Sequence, residues 1–252
     1  MIDIHCHLLP GVDDGSPAIE ATLPVLERFA AEGVEVLVCT PHLRASEAVT
    51  IDDARYAAIF EDLVSNARRS PKLERGWEIM LDVPEADLRP AHLGLAGSTA
   101  RLVEFPRMNV PAGASRELFR LRMSGVVPVL AHPERYWGAT TQLVLEWRNA
   151  GAAIQLDSAM VLSGGGTGKL ARALLEEGLV DCIAIDNHGD VRSLGVARRW
   201  LEELGATEQA QLLTSTNAGR LLAGEAVIPV SPLVPIEKGM VSRFKELLLG
   251  RR

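Results

Sequence analysis

Short β-branched runs alternate with longer stretches of helical period along most of the chain, and this alternation constrains the fold more than any other feature. Strands are expected at 2–5, 34–40, 73–78, 102–105, 126–132, 152–156 and 180–186, with helical patterns over 17–32, 51–69, 114–123, 141–150, 170–177 and 194–204 between them. Repeated strand–helix order implies parallel strands joined by right-handed crossovers. Gly33, Gly125, Gly151, Gly178 and Gly205 each follow a helical stretch where a C-terminal cap belongs. Ser16 reads as the N-cap of the first helix, with Pro17 at its first position and Glu20 near its third. Seven strands in 252 residues favour one α/β barrel over an open sheet. Closing helices are expected at 208–213 and 218–222. The barrel is therefore assigned to 1–225, and 226–252 to a proline-containing linker and amphipathic tail. In that tail Met240, Val241, Phe244, Leu247 and Leu248 keep helical spacing, which suits packing on the barrel or on a second subunit, with a membrane-surface anchor as the alternative.

Composition removes several functions. Twenty-six Lys and Arg against 33 Asp and Glu give a net charge of −7, unlike a sequence-independent nucleic-acid binder. Aromatic residues are 4% of the chain, too few for a stacking platform. Cys6, Cys39 and Cys182 have no paired spacing, so buried, reduced thiols are expected rather than disulfides or a zinc knuckle. No apolar run is long enough to span a bilayer, and the opening Met1-Ile2-Asp3-Ile4-His5 has no secretory signal pattern; a cytoplasmic chain is expected.

The chemistry is concentrated where strands end. His5 and His7 form a His-x-His pair after the first strand; alternate residues of an extended segment point the same way, so both imidazoles can reach one ion. His42 follows the second strand, Glu78 ends the third, Glu104 lies near the end of the fourth and His132 ends the fifth. Asp186 and His188 form an Asp-x-His pair after the seventh. Five of the six histidines thus fall at or after strand ends, and only His92 sits in an ordinary connection. In a parallel barrel those ends share one face. Gathering carboxylates and imidazoles there without cations costs several kcal/mol per unpaired charge, so bound metal is the favoured reading. A nitrogen and oxygen ligand set without thiolate suits Mn²⁺, Zn²⁺ or Fe, and Glu78 could bridge two ions.

Ile2-Asp3-Ile4-His5-Cys6-His7, Val12-Asp13-Asp14-Gly15, Thr40-Pro41-His42, Gly76-Trp77-Glu78-Ile79, Val103-Glu104-Phe105, Ala131-His132-Pro133-Glu134-Arg135-Tyr136 and Ile185-Asp186-Asn187-His188 occur in an order that resembles the polymerase-and-histidinol-phosphatase (PHP) superfamily. The Asp-Asp-Gly and His-Pro-Glu-Arg-Tyr signatures resemble one branch of it, the manganese-dependent protein-tyrosine phosphatases of bacterial capsular and exopolysaccharide synthesis (CpsB/YwqE-like). The resemblance covers about residues 1–222. It implies a distorted (β/α)7 TIM-like barrel with three divalent ions, manganese foremost and iron or zinc as alternatives. One ion would be held by His5, His7, Glu78 and Asp186, a second by Glu78, Glu104 and His132, and a third by Asp14, His42 and His188. Arg135 and, where the chain reads Arg192-Ser193, Arg192 would bind phosphate. The implied reaction is hydrolysis of phosphotyrosine by a metal-activated hydroxide, with His42 a candidate to protonate the phenolate. The implied partner is a phosphotyrosine-bearing protein, the tail of a bacterial tyrosine kinase, with no nucleic acid involved.

Rival readings fit less well. A cysteine phosphatase needs Cys-x5-Arg, but only four residues separate Cys39 from Arg44. The 163–169 run Ser-Gly-Gly-Gly-Thr-Gly-Lys lacks the first glycine and final Ser/Thr of a phosphate-binding loop and reads as a flexible turn feeding a helix. Amidohydrolases often use a bridging lysine, and no lysine here lies at a strand end. Histidinol-phosphate phosphatase shares the implied metal cluster but lacks the two signatures, and a PHP module turned structural would have lost ligand positions that are filled here.

Overall fold

The computed structural model describes residues 1–235; the expected amphipathic tail lies outside them. Among the described residues the strands are β1 (Ile2–Cys6), β2 (Val36–Cys39), β3 (His42–Arg44), β4 (Lys72–Arg75), β5 (Glu78–Met80), β6 (Ala100–Glu104), β7 (Val127–Ala131), β8 (Ala153–Asp157) and β9 (Cys182–Ala184). The helices are α1 (Ile19–Ala31), α2 (Asp53–Asn66), α3 (Ala114–Met123), α4 (Thr141–Asn149), α5 (Ser158–Val161), α6 (Gly165–Glu176), α7 (Leu194–Glu203), α8 (Thr207–Gln211) and α9 (Asn217–Leu222). Every strand pairing is parallel, in the orders β1-β2-β4 and β3-β5-β6-β7-β8-β9.

The two sheets form one ring. β2 with β3, and β4 with β5, are halves of single strand positions broken at Pro41 and Gly76. Pro41 cannot donate to a ladder, while a Cβ on Gly76 would lie 2.8 Å from Leu95 Cδ2. Pairing continues across the breaks, because Gly76 N donates to Cys39 O (2.9 Å) and Glu78 N to Pro41 O (3.1 Å). The last strand then meets the first: Asp186 N donates to His5 O (2.9 Å), His7 N donates to Asn187 O (2.8 Å), and Cys6 bridges Asn187 in parallel. Seven strand positions close in this way into the distorted (β/α)7 barrel.

Alternation along the strands divides the core as the pleat requires. Ile4, Val38, Ala100, Leu102, Val129, Ala131, Ala153, Cys182 and Ala184 form one buried cluster that Leu95, Ala218 and Leu221 join. Their neighbours Val103, Leu130, Ile154 and Ile183 belong to a second cluster with helix residues such as Leu26, Phe29, Leu118, Leu121, Trp147, Leu174 and Trp200. α9 lies against the strand starts, where Gly219 approaches Ile2 Cδ1, so the strand C-termini are left for a site. All three cysteines are free and buried. No described helix is long and apolar enough to cross a membrane.

Several expected boundaries are corrected. The 34–40 and 73–78 strands are each interrupted, so His42 and Glu78 begin β3 and β5 instead of following or ending a strand. α1 begins at Ile19 with Ala18 as N-cap; Ser16 is buried, its hydroxyl donating to Ala18 O and accepting from Thr22 Oγ1, which leaves Pro17 outside the helix. The glycine-rich run is not merely a turn, since α6 starts at Gly165 and contains Gly166 and Gly168.

Residues 226–235, expected as the start of a linker, lie along the barrel. Val230 and Leu233 are buried and Leu233 N donates to Leu175 O. Buried Asn217 staples this segment: its amide donates to Asp181 O (2.9 Å) and Ile228 O (2.8 Å), and its oxygen accepts from Ile228 N (2.8 Å). Asn217→Ala strands these groups and is expected to cost about 2 kcal/mol, read as a lower urea midpoint at unchanged slope. An unchanged midpoint would show that the staple contributes nothing.

Candidate metal centre

The centre is built on β1. His5 and His7 are both fully buried, beside an irregularity in the β1–β2 register between Asp3 and Cys6. Gln155 fixes the His5 ring: its amide nitrogen donates to Leu156 O (2.8 Å), which turns its oxygen towards His5 Nδ1 at 3.0 Å. An oxygen there only accepts, so Nδ1 carries the hydrogen and Nε2 is left with its lone pair. Asp13 Oδ2 does the same for His7, 2.8 Å from Nδ1. The two free nitrogens face each other at 3.3 Å. Around them lie Glu78 Oε1, 3.3 Å from His5 Nε2, Glu78 Oε2, 3.3 Å from His7 Nε2, and Asp186 Oδ1, 3.3 and 3.2 Å from the two rings. These are all acceptors. Such an arrangement needs positive charge at its centre, and imidazoles oriented by a carboxylate or amide are how proteins present nitrogen to a metal.

Glu78 links this group to its neighbours. Its Oε1 lies 2.8 Å from His132 Nε2 and its Oε2 2.9 Å from His42 Nδ1. Burial alone would raise its pKa, but His5, His132 and His42 hold it well below the carboxylate range. Burial likewise opposes ionisation of Asp186, and His5, His7 and Arg135 more than reverse that. Without metal the same charges act on His5: burial disfavours its proton, yet Glu78 and Asp186 push its pKa up to about 9. Burial and the nearby Glu78 charge raise Glu104 to about 7, while burial lowers His132.

At the rim, Asp14 Oδ1 lies 3.3 Å from His42 Nε2 and 3.4 Å from His188 Nε2. The loop carrying Asp14 is folded tightly onto β1. Ser16 N donates to His7 O (2.9 Å), and a Cβ on Gly15 would lie 2.0 Å from that oxygen. The backbone is also bent where ligand-type residues leave their strands: His132 and Asp186 have φ of 34° and 51°, in the left-handed region that costs a side chain about 1 kcal/mol or more. Arg135 follows His132 in a tight turn (Pro133–Arg135). Tyr136 locks that turn, its hydroxyl donating to Ala131 O and accepting from Phe105 N. The guanidinium contacts Asp157, and its Nη1 lies 2.6 Å from Asp186 Oδ2. Arg192 Nε donates to Asp190 Oδ2 at 2.7 Å, and its Nη1 lies 3.8 Å from Asp186 Oδ2.

All nine residues expected as ligands fall into four overlapping groups: His5–Glu78–His132, His5–His7–Asp186, His42–Glu78–Glu104 and His7–Asp14–His42–His188. Within each group the ligand-type atoms lie within 4.8 Å of one another. The geometry places His7 with the rim group as well as with His5, and sets Glu104 beside His42, whereas its Oε2 is 3.9 Å from His132 Nε2. Arg135 and Arg192 line the same cavity of about 210 Å³, together with Arg107. Sequence reasoning assigned no role to Arg107, Gln155, Asp157 or Asp13. A signal existed for two: Gln155 is a polar residue inside an apolar strand, and Asp13 sits within the quoted Asp-Asp-Gly run.

A closed parallel barrel with a histidine–carboxylate centre and arginines at its strand C-termini defines a protein of the metal-centred TIM-like class. Comparison with known proteins gives the family. The chain belongs to the capsular polysaccharide synthesis CpsB/CapC family, whose profile matches residues 1–223. It is 29% identical over 202 residues to the tyrosine-protein phosphatase YwqE of Bacillus subtilis, covering 75% of this chain and 77% of that one. It is 30% identical over 209 residues to the tyrosine-protein phosphatase CpsB of Streptococcus agalactiae, covering 76% and 85%. Among solved structures it superposes with TM-score 0.79 and 25% identity on one from a study of YwqE from Bacillus subtilis and CpsB from Streptococcus pneumoniae, described as unique metal-dependent tyrosine phosphatases; 94% of this chain and 100% of that one are covered. A dihydropyrimidinase from Brevibacillus agri, at TM-score 0.55 and 11% identity over 92% of this chain and 73% of that one, shares the fold alone.

Two outcomes are expected. Because His5 holds a proton up to about pH 9 in the metal-free protein, binding at Nε2 must release it. Mn²⁺ added to metal-free protein at pH 7 in weak buffer should acidify the solution, with affinity rising about tenfold per pH unit from 6 to 8; a pH-independent affinity would show that metal displaces no proton from His5. Gly15→Ala should impair metal binding, because its Cβ collides with the His7 backbone. Gly205→Ala, with φ +78° but open space, should leave metal binding intact and cost only about 1 kcal/mol of stability.

Proposed function

We propose that the chain is a metal-dependent protein-tyrosine phosphatase, its catalytic unit spanning 1–225 and its substrate a phosphotyrosine-bearing protein of capsular polysaccharide synthesis, a bacterial tyrosine kinase tail. One observation carries the reading: a cluster of buried lone-pair donors lies beside Arg135 and Arg192 in a single cavity. Donors of that kind hold cations, and cations ringed by arginine hold an anion. The printed activities of YwqE and CpsB select phosphotyrosine from the possible phosphoesters.

Three divalent ions, Mn²⁺ first, would be held by His5, His7, Glu78 and Asp186, by Glu78, Glu104 and His132, and by Asp14, His42 and His188. When bound, such ions supply Lewis-acid charge and make water acidic enough to serve as a nucleophile near neutral pH. The chain's own groups do the rest. Asp13 and Gln155 keep His7 and His5 in the tautomer that presents Nε2. Arg135, fixed by Asp157 and the Tyr136 turn, offers its remaining N–H groups to non-bridging phosphoryl oxygens, for which a planar guanidinium is matched. Arg192 approaches the same cavity from the Asp186 side. His42 directs both ring nitrogens at carboxylates of the centre, Glu78 and Asp14, so its part is to hold the outer ion instead of protonating the leaving group. A phenol with pKa about 10 leaves with modest help.

Metal-stripped protein should be inactive, and Mn²⁺ should restore turnover of a phosphotyrosine peptide above that of histidinol phosphate, with an aryl phosphate as reference; faster turnover of histidinol phosphate would overturn the substrate assignment. Arg135→Ala should lower kcat/KM by roughly 10²–10³ with Arg135→Lys recovering only part. His42→Ala should reduce turnover more than it shifts the unfolding midpoint, and full activity in that variant would remove the outer ion from the scheme.

A further inference from the structure

The catalytic cavity does not stand alone. A second cavity of about 370 Å³ shares His42, Glu104 and Arg107 with it and extends over Leu43 and Met80 to Arg44. Arg44 ends β3, two residues after His42, and Arg107 follows β6 at the other wall. Among the described residues neither guanidinium has an ion-pair or hydrogen-bond partner. That is unusual at this mouth, where Arg135 and Arg192 are both tied to carboxylates. Arg107 acts on Glu104 only through its field. The acidic groups on the second cavity are Glu104, which faces the metal centre, and Glu47, which pairs with neither arginine. In a chain of net charge −7, two arginines over an apolar floor, neither in an ion pair although Arg44 lies in the field of Asp82, form a local site for an anion.

We propose that this second cavity is a specificity subsite that receives an anionic side chain flanking the phosphotyrosine of the substrate, held between Arg44 and Arg107. The inference rests on the phosphotyrosine reading above and deepens it. A peptide crossing the mouth in extended form places successive side chains about 3.3 Å apart along its axis, and those two apart about 7 Å on the same side. A flanking residue therefore reaches the adjoining cavity while the phosphoryl group occupies the first. Leu43 and Met80 accept the aliphatic or aromatic stem, and the arginines accept the terminal charge. Aspartate, glutamate and a second phosphotyrosine share the chemistry required. Arg107 touches both cavities and so affects every substrate, whereas Arg44 belongs to the subsite alone.

The test measures Mn²⁺-loaded full-length protein and its Arg44→Gln variant on p-nitrophenyl phosphate and three phosphotyrosine peptides. One peptide has neutral flanks, one has glutamates within two residues on either side, and one carries a second phosphotyrosine. The wild type should show a KM roughly five- to tenfold lower for the two anionic peptides than for the neutral one. The difference should shrink as salt is raised from 0.05 to about 0.5 M, an order-of-magnitude range set by screening. Arg44→Gln should bring the peptides within about twofold of one another, with kcat and p-nitrophenyl phosphate turnover unchanged. Preference for only one anionic peptide identifies which source the subsite takes and supports the proposal. Equal KM values in the wild type, or a preference surviving in Arg44→Gln, overturn it while leaving the phosphatase reading intact. Turnover of p-nitrophenyl phosphate with all peptides inert overturns the phosphotyrosine reading and the subsite with it.

Discussion

Two imidazole nitrogens, both turned inwards by the bonds their rings make at Nδ1, face each other across 3.3 Å with three carboxylate oxygens packed around them. Arg135 reaches Asp186 from outside, and His132 and His42 reach Glu78, but none of them lies between the two facing nitrogens. Electrostatic repulsion among buried acceptors is severe in a medium that screens poorly, so the arrangement persists only with protons or metal ions between them. Much else in the molecule serves this constraint. Gln155 and Asp13 remove the alternative tautomers in which a ring hydrogen would point inwards, and the raised pKa of His5 is the proton's partial substitute for an ion.

The surrounding backbone shows the same demand. His132 and Asp186 adopt left-handed conformations that their side chains disfavour, and both lie where a strand delivers a ligand-type group. An unstrained continuation would carry the side chain away from the cavity. The strain is held by neighbouring bonds: His132 N donates to Gln155 O and Asp186 N to His5 O. Gly15 belongs to the same set, since only a residue without Cβ lets the Asp13–Asp14 loop lie against the His7 carbonyl.

How far the sequence disclosed this depends on range. Local periodicity placed 114–123 at the bounds of α3 and came within one residue at 141–150, because amphipathic spacing is a local property. It missed the breaks at Pro41 and Gly76, where a strand position shifts from one sheet to the other; those depend on which strand lies alongside. It placed Ser16 as a helix cap, whereas the hydroxyl is drawn inwards by Thr22, a tertiary contact that outweighs the capping preference. The ligand-type residues were legible because the pattern of strand ends exposes them. The partners of their supports were not: Gln155 acts 150 residues from His5, Asp157 acts 22 from Arg135, and no spacing rule connects such pairs.

Closure of the barrel and assembly of the centre are one event. His5 and Asp186, from opposite ends of the ring, are joined by a main-chain bond at the seam, and their side chains meet above it at 3.3 Å. Below, Asp3 Oδ1 accepts both His5 N and Ile185 N, while its other oxygen is buried without a partner. The first and last strands are thus held by few bonds, one of them to an acid whose burial raises its pKa to about 7. An ion held by His5 and Asp186, as proposed above, would span this seam. Because a ligand bound to the folded chain and not to the unfolded one stabilises it by mass action, a metal that serves the reaction from this site would also hold shut the ring that positions its ligands.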